Sequence, residues 1–267
     1  MRKCTKNKEE RKGHSAALNS TIILVPSYNR ANKQITYDRL PQSLQQQALV
    51  VCSKEEETEY KKRGRSTLVS PYQGQGMAIL RQWCLEWAAN YPYAKLIMLD
   101  DDLTLCVRTQ EGRILVSSEW GKAVQWLSTC LESYVHAALA SRSYAWRSRK
   151  NHLINCKGIQ AVAYRPQRII NLGARFDLEV DPWFFMEDYH MTLQLLEKGY
   201  SNIVSLVYRY NCSPFNSSGG VSKFRNNKSM EIVAKALEKL HPKTVKAIQK
   251  SYKQSSRWDV AIKWNQI

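Results

Sequence analysis

"LIMLDDDLTL", residues 96–105, decides how the chain is read. Four apolar residues run into Asp100, Asp101 and Asp102, and an apolar pattern then resumes. The run has the length and composition of a strand buried on both faces. Three adjacent carboxylates at its carboxyl end repel one another, so the arrangement makes most sense around a cation. Asp100 and Asp102 are spaced i, i+2, and on an extended strand end both side chains face one way. A hard divalent ion takes such oxygen ligands and completes its shell with a diphosphate and water. The plainer alternative is an acidic turn at a strand terminus.

Working outward, "TIILV" (21–25), "ALVVC" (48–52) and "STLVS" (66–70) are three more short apolar runs that read as strands. Between them lie a helix-like stretch over 37–47, interrupted by Pro41, and the polar segment "EEETEYKKR" (55–63), a short helix. "GQGMAILRQWCLEWAANY" (74–91) places Met77, Leu80, Cys84 and Trp87 or Ala88 on one helical face. Strand and helix alternate from residue 21 to residue 100, which predicts an α/β domain with a mainly parallel central sheet flanked by helices. Ligands of such sheets bind beyond the carboxyl ends of the strands, where the aspartates sit.

Farther along, residues 119–141 are predicted as one long amphipathic helix, "GIQAVAY" (158–164) as a strand, 187–200 as a helix stopped at Gly199, and "IVSLVY" (203–208) as a strand. Residues 229–252 look helical and basic. The expected organisation is a basic N-terminal arm (1–19), one α/β domain (20–215) and a basic helical C-terminal extension (216–267).

Hydrophobic residues make up 43% of the 267, with eight Trp and fourteen Tyr, which argues against a disordered chain. No stretch reaches the roughly 20 apolar residues of a membrane span. The N-terminus lacks the apolar core of a signal peptide, so a cytoplasmic location is expected. Seven dispersed cysteines without a CxxC pair read as free thiols. The formal net charge of +17 favours a polyanionic partner, nucleic acid or an anionic membrane surface. The charge concentrates in two places. "SRSYAWRSRKNH" (141–152) interleaves Arg142, Arg147, Arg149 and Lys150 with Tyr144 and Trp146, a pattern suited to phosphate contact and base stacking. Lys223 to Lys263, beginning with Lys223 and Arg225, holds eleven Lys or Arg, which either lie along a DNA backbone or form a solvated face.

Four motifs follow in order: "ILVPSYNR" (23–30), "GQGMAILRQW" (74–83), "LIMLDDD" (96–102) and "FFMEDYHMTLQLLEKGY" (184–200). Together they resemble the successive motifs of GT-A-fold, family-two-like nucleotide-sugar glycosyltransferases. With "QAVAYRP" (160–166) and "NSSGGVSKFR" (216–225), the chain looks most like the TET-associated glycosyltransferases. Those proteins occur largely in bacteriophages and are linked to sugar addition on hydroxymethylated pyrimidines in DNA.

The resemblance implies a UDP-sugar donor and a Mn2+ or Mg2+ ion held by Asp100 and Asp102, with Asp101 turned toward the sugar, the ribose or the sheet edge. It implies a nucleotide-binding loop after the first strand, from Pro26, with Tyr28 stacking on uracil and Arg30 reaching the phosphates. Glu55 or Glu56 would accept the uracil N–H. Gly74 and Gly76 would let the backbone approach the donor. Arg81 matches the arginine of an "ARN"-like motif and either contacts the donor or pairs with an acidic neighbour. Asp188 would be the general base of a single, inverting displacement, with Glu187 in support; His190 and His152 are weaker candidates for ligands or acceptor contacts. DNA with hydroxymethylated bases would be the acceptor, in the host cytoplasm for a phage-encoded chain. Two other readings stand beside this one: a glycosyltransferase for a surface polysaccharide or lipid-linked acceptor, and an inactive GT-A-like nucleic-acid-binding module.

Overall fold

The computed structural model describes residues 21–72, 75–91, 94–177, 185–212, 226–252 and 255–267. In chain order the elements are β1 (Thr21–Pro26), α1 (Thr36–Arg39), α2 (Gln42–Gln45), β2 (Ala48–Cys52), α3 (Lys54–Lys62), β3 (Thr67–Val69), α4 (Met77–Asn90) and β4 (Lys95–Leu99). Then come β5 (Thr104–Arg108), β6 (Ile114–Val116), α5 (Trp120–Cys130), β7 (His136–Ser141), β8 (His152–Ile154), β9 (Ala161–Tyr164) and α6 (Pro166–Asn171). The last are α7 (Glu187–Glu197), β10 (Ile203–Asn211), α8 (Asn227–Leu240), β11 (Val245–Tyr252) and β12 (Ser255–Ile262).

Ten strands form one sheet in the order β3-β2-β1-β4-β9-β7-β10-β5-β6, with β8 paired to β10. The N-terminal half, β3 to β4, is parallel, as expected. Beyond β4 the sheet is mixed: β9 runs antiparallel to both β4 and β7, and β5 antiparallel to β10, while β7 and β10 are parallel. The expected mainly parallel sheet therefore describes only that first half.

Alternation within the strands explains the layers. Ile23, Val25, Ile97 and Leu99 point into a core shared with Tyr37, Tyr60, Trp120 and Leu127 from α1, α3 and α5. Ile22, Leu24, Leu96 and Met98 point the other way, onto Leu80, Leu85, Ile169 and Met191 from α4, α6 and α7. Strands buried on both faces need continuous apolar runs, which is what β1, β2 and β4 have.

Two predicted elements are corrected. The long helix over 119–141 is α5 followed by β7. Helical spacing ends after Leu131; "HAALA" is buried throughout, because β9 and β10 flank it inside the sheet. Burial overrides the helix preference of its alanines. The helical C-terminal extension is one helix, α8, and an antiparallel hairpin, β11–β12. Trp258, Val260 and Ile262 alternate with Asp259 and Ala261, a period of two that a helix cannot use. The extension packs through Val233, Leu237, Val245 and Val260 on Met186 just before α7, Leu193 of α7 and Ala78 of α4.

Cys52, Cys84, Cys106, Cys130, Cys156 and Cys212 are free thiols. Among the described residues no helix is long and apolar enough to cross a membrane.

Candidate active site

The aspartate triplet follows β4, and its backbone is clamped from α1. Ile35 N and Thr36 N donate to Asp101 O, Thr36 Oγ1 donates to Asp100 O at 2.5 Å, and Leu103 N donates back to Thr36 Oγ1 at 2.8 Å. Thr36 is fully buried and was not singled out in the sequence, where nothing local links it to residues 64 to 67 positions away.

Two arginines meet the three carboxylates. Arg30 Nη1 lies 2.7 Å from Asp101 Oδ1 and 3.0 Å from Asp102 Oδ2. Arg81 Nη2 lies 2.7 Å from Asp100 Oδ1. Asp101 and Asp102, rather than Asp100 and Asp102, thus share a cationic partner. Strand alternation stops at Leu99, and Asp101–Asp102 form a turn, so the i, i+2 rule no longer orients them. Asp101 has both oxygens engaged, since Oδ2 accepts from Ser27 Oγ at 2.6 Å. Tyr60 Oη donates to that same Ser27 Oγ at 2.7 Å. Ser27 stands inside the "ILVPSYNR" motif without a role of its own there, and Tyr60 lies in no motif; the β1–β2–α3 packing gives both their place.

Arg81 is the hub of the site. Its side chain is 2% exposed, and besides Asp100 it reaches Asp188 at 3.0 Å and Glu187 at 3.3 Å. It pairs with acidic neighbours, one of the two roles expected for it. Glu187 and Asp188 are buried in the first turn of α7, where the helix N-terminus also favours carboxylates. Five carboxylates thus gather around two guanidinium groups. Burial, opposed by Arg81 and reinforced by the neighbouring aspartates, pushes the Asp100 carboxyl up to about 7. Burial likewise raises Asp101.

This excess of negative charge fits a divalent cation. Asp100 Oδ2 and Asp102 Oδ1 have no hydrogen-bond partner among the described residues. No cluster of three or more His, Cys, Asp or Glu forms a closed metal site among them. The two outer aspartates therefore offer one oxygen each, and further ligands would have to come from outside that set.

The loop after β1 lies beside this cluster. Pro26 is buried at the strand end, Tyr28 is half-buried, and Asn29 adopts a left-handed conformation at φ 54°. Asn29 N donates to Glu56 Oε1 at 2.7 Å. Of the two candidate glutamates, Glu56 reaches the loop, whereas Glu55 is exposed at the start of α3. Gly76 caps α4 with φ 106°, a conformation that requires glycine. Gly74, Lys223 and Arg225 lie outside the described residues.

A cleft of about 600 Å³ opens between the β5–β6 turn, the end of β7 and the end of β10, lined by Arg113, Arg142, Trp146, Tyr210 and Cys212 among others. Asn211, which lines the cleft, pairs with Thr104, two residues after Asp102, and this puts the cleft next to the carboxylates. The basic–aromatic segment divides here. Arg142 and Trp146 line the cleft, and Trp146 is 58% exposed. Arg147 lies over the Trp146 ring at 4.7 Å, and Arg149 packs against Gly112 at the β5–β6 turn. Lys150 is exposed. Tyr144 does not join them: its half-buried ring packs in the core under the Lys157 amine, at 4.6 Å. Arg209, buried at the end of β10, donates to the carbonyls of Leu206 and Tyr144 and so fastens the turn that carries Trp146.

His190 and His152 do not reach this site. His190 Nδ1 lies 2.9 Å from His241 Nε2, and His241 Nδ1 lies 2.8 Å from Glu197, so the chain of groups ties α7 to the end of α8. His152 is exposed on β8, at the edge of the sheet.

The family model of the TET-Associated Glycosyltransferase matches residues 21–212, from the first residue of β1 to just past the end of β10. The chain belongs to this family. The TET-associated glycosyltransferase fold described above is similar to that of the mannosyltransferase PcManGT from Pyrobaculum calidifontis in complex with GDP-Man and Mn2+. That likeness has 14% identity, covers 88% of this chain and 71% of that chain, and has a TM-score of 0.52. At this identity it is a likeness of fold, a GT-A-like one. Two others are the mannose-1-phosphate geranyltransferase from Thermus thermophilus, with 14% identity, coverage of 80% and 78% and a TM-score of 0.44, and S. aureus TarS 1-349, with 13% identity, coverage of 82% and 65% and a TM-score of 0.43. A search of curated proteins finds no match. As a member of this family the chain is a nucleotide-sugar-dependent glycosyltransferase.

Proposed function

We propose that this TET-associated glycosyltransferase moves a sugar from a UDP-sugar to the hydroxyl of a hydroxymethylated pyrimidine in DNA. One observation carries the acceptor half of this reading: Arg113, Arg142 and the exposed Trp146 line a cleft beside the carboxylate cluster, with Arg147 and Arg149 packed next to it. Cations for phosphates and an aromatic face for a base, set next to acid–base groups, suit a nucleic-acid acceptor.

Asp100 and Asp102 would hold the Mn2+ or Mg2+ ion through the oxygens that the arginines leave over. When bound, the ion would neutralise charge developing on the leaving diphosphate. Arg81, 3.0 Å from Asp188 Oδ1, holds that carboxylate in place at the start of α7. The acceptor hydroxyl oxygen forms a bond to the anomeric carbon while the bond from that carbon to the diphosphate oxygen breaks. The hydroxyl proton goes to Asp188, and the electron pair of the broken bond leaves with UDP. A single displacement of this kind inverts the anomeric configuration. Glu187 shares Arg81 and holds it in place.

Incubating the protein with UDP-sugars, Mn2+ or Mg2+, and DNA with or without hydroxymethylated bases tests the reading. The expected result is a mass gain of one sugar per modified base and none on unmodified DNA. Transfer to a polysaccharide acceptor with none to DNA would overturn the acceptor assignment.

A further inference from the structure

Tyr210, the next-to-last residue of β10, lies opposite Leu105 of β5 and Ser141 of β7. It is fully buried, and its hydroxyl has no hydrogen-bond partner among the described residues. A buried hydroxyl left unpaired is costly, and phenylalanine would fill the same space without that cost. Tyr210 packs at the edge of the core and is among the residues lining the cleft. Its strand partner Leu105 follows Asp102 by three residues, so the register sets Tyr210 near the aspartate triplet. Burial first, then the charges of Cys212, Asp100 and Asp188, hold the phenol well above its ordinary pKa, so it stays neutral. Tyr164 also has an unpaired buried hydroxyl, but it stacks on His136 and is not among the residues lining the cleft.

The strand is shaped to deliver this residue. The register between β10 and β7 shifts between Ser205 and Arg209, inserting extra residues into β10 just before Tyr210. Such bulges re-aim side chains, often beside active sites. Arg209 then anchors the turn that carries Trp146, and Tyr210 next to it is among the residues lining the cleft.

We propose that Tyr210 Oη is a substrate contact that hydrogen-bonds a hydroxyl of the sugar being transferred. Arg81 holds together Asp100, on the diphosphate side, and Asp188, on the acceptor side, and the transferred sugar would lie between those two carboxylates. A neutral phenol both donates and accepts, which suits a sugar hydroxyl and gives a diphosphate no counter-charge. The inference rests on the roles proposed above for Asp100 and Asp188, and not on DNA as the acceptor.

The test is Tyr210→Phe, titrated by calorimetry in the presence of Mn2+ with UDP, GDP and a panel of UDP- and GDP-sugars. The expected result is unchanged affinity for the nucleoside diphosphate, about three- to tenfold weaker binding of the preferred nucleotide-sugar, and a thermal midpoint equal to or above wild type. Equal nucleotide-sugar affinities in the two proteins would overturn the proposal. So would a parallel loss of nucleotide and nucleotide-sugar binding, or a lowered midpoint, because either marks a structural residue. A wild type that binds no member of the panel overturns the donor reading as well. Failure of DNA as an acceptor leaves the titration unaffected, since no DNA is in it.

Discussion

Arg81 Nη1 lies 3.0 Å from Asp188 Oδ1, and through its other two nitrogens the same guanidinium holds Glu187 and Asp100. One side chain of α4 thereby joins the end of β4 to the start of α7. Removing it leaves three buried or half-buried carboxylates without their cation. Arg81→Ala should lower stability by about 3–5 kcal/mol, the scale of breaking a buried ion pair. Arg81→Lys should recover only part, because an ammonium cannot present the planar fork that meets three partners at once. Urea denaturation of the two variants checks both statements, and an Arg81→Ala midpoint equal to wild type would contradict them.

Asp102 and Asp101 should fail differently. Asp102→Ala removes an oxygen that the protein leaves available, so activity should drop by at least about a hundredfold while the fold persists, and EDTA should do the same to wild type. Asp101→Ala instead strips partners from Ser27 and Arg30 and should lower stability. Activity assays paired with thermal melts separate the two; full turnover in EDTA would remove the metal from the mechanism.

Asp188→Asn keeps the shape of the side chain but loses a proton acceptor. Donor and DNA binding should survive while transfer is abolished. Normal turnover by this variant would reduce Asp188 to a helix-start residue.

Salt dependence reads the phosphate contacts. Each neutralised phosphate adds about 0.9 to the slope of log affinity against log salt on duplex DNA. Arg147→Ala, Arg149→Ala and Lys150→Ala together should flatten the slope by up to about three units and weaken binding on all sequences. Titrations at several salt concentrations measure it. A wild-type slope near zero would rule out DNA as the partner.

His190 supplies a pH test of the α7–α8 junction. Burial, helped by His241, lowers its pKa from 6.5 to about 4. The folded state therefore binds fewer protons than the unfolded chain between those values. Its contribution is intact above the unfolded pKa and is lost as pH falls toward 4. Asp100, raised to about 7, acts in the opposite sense, so the informative quantity is a difference. The stability of wild type minus that of His190→Gln should fall by up to about 1.4 kcal/mol per pH unit below about 6.5. A difference independent of pH would mean that His190 titrates normally in the fold.

The sequence by itself determined the features that depend on neighbours along the chain. Continuous apolar runs marked β1, β2 and β4 because a strand buried on both faces allows no polar position. Helical spacing marked α4. The aspartates at a strand end and Glu187–Asp188 at a helix start announced a carboxylate site, and four motifs in order were enough to point to the family. Contacts between distant residues were decided only by the tertiary structure. That Arg30 meets Asp101, 71 positions away, and Arg81 meets Asp188 follows from strand order, which no local period encodes. Local propensity also lost where packing was strong. "HAALAS" became a central strand because its neighbours bury it, and the C-terminal segment became a hairpin because α7 and α8 offer one face to cover. Tyr210 belongs to this second class. It is buried between its strand partners on β5 and β7, and its place near the aspartate triplet exists only once the sheet has formed.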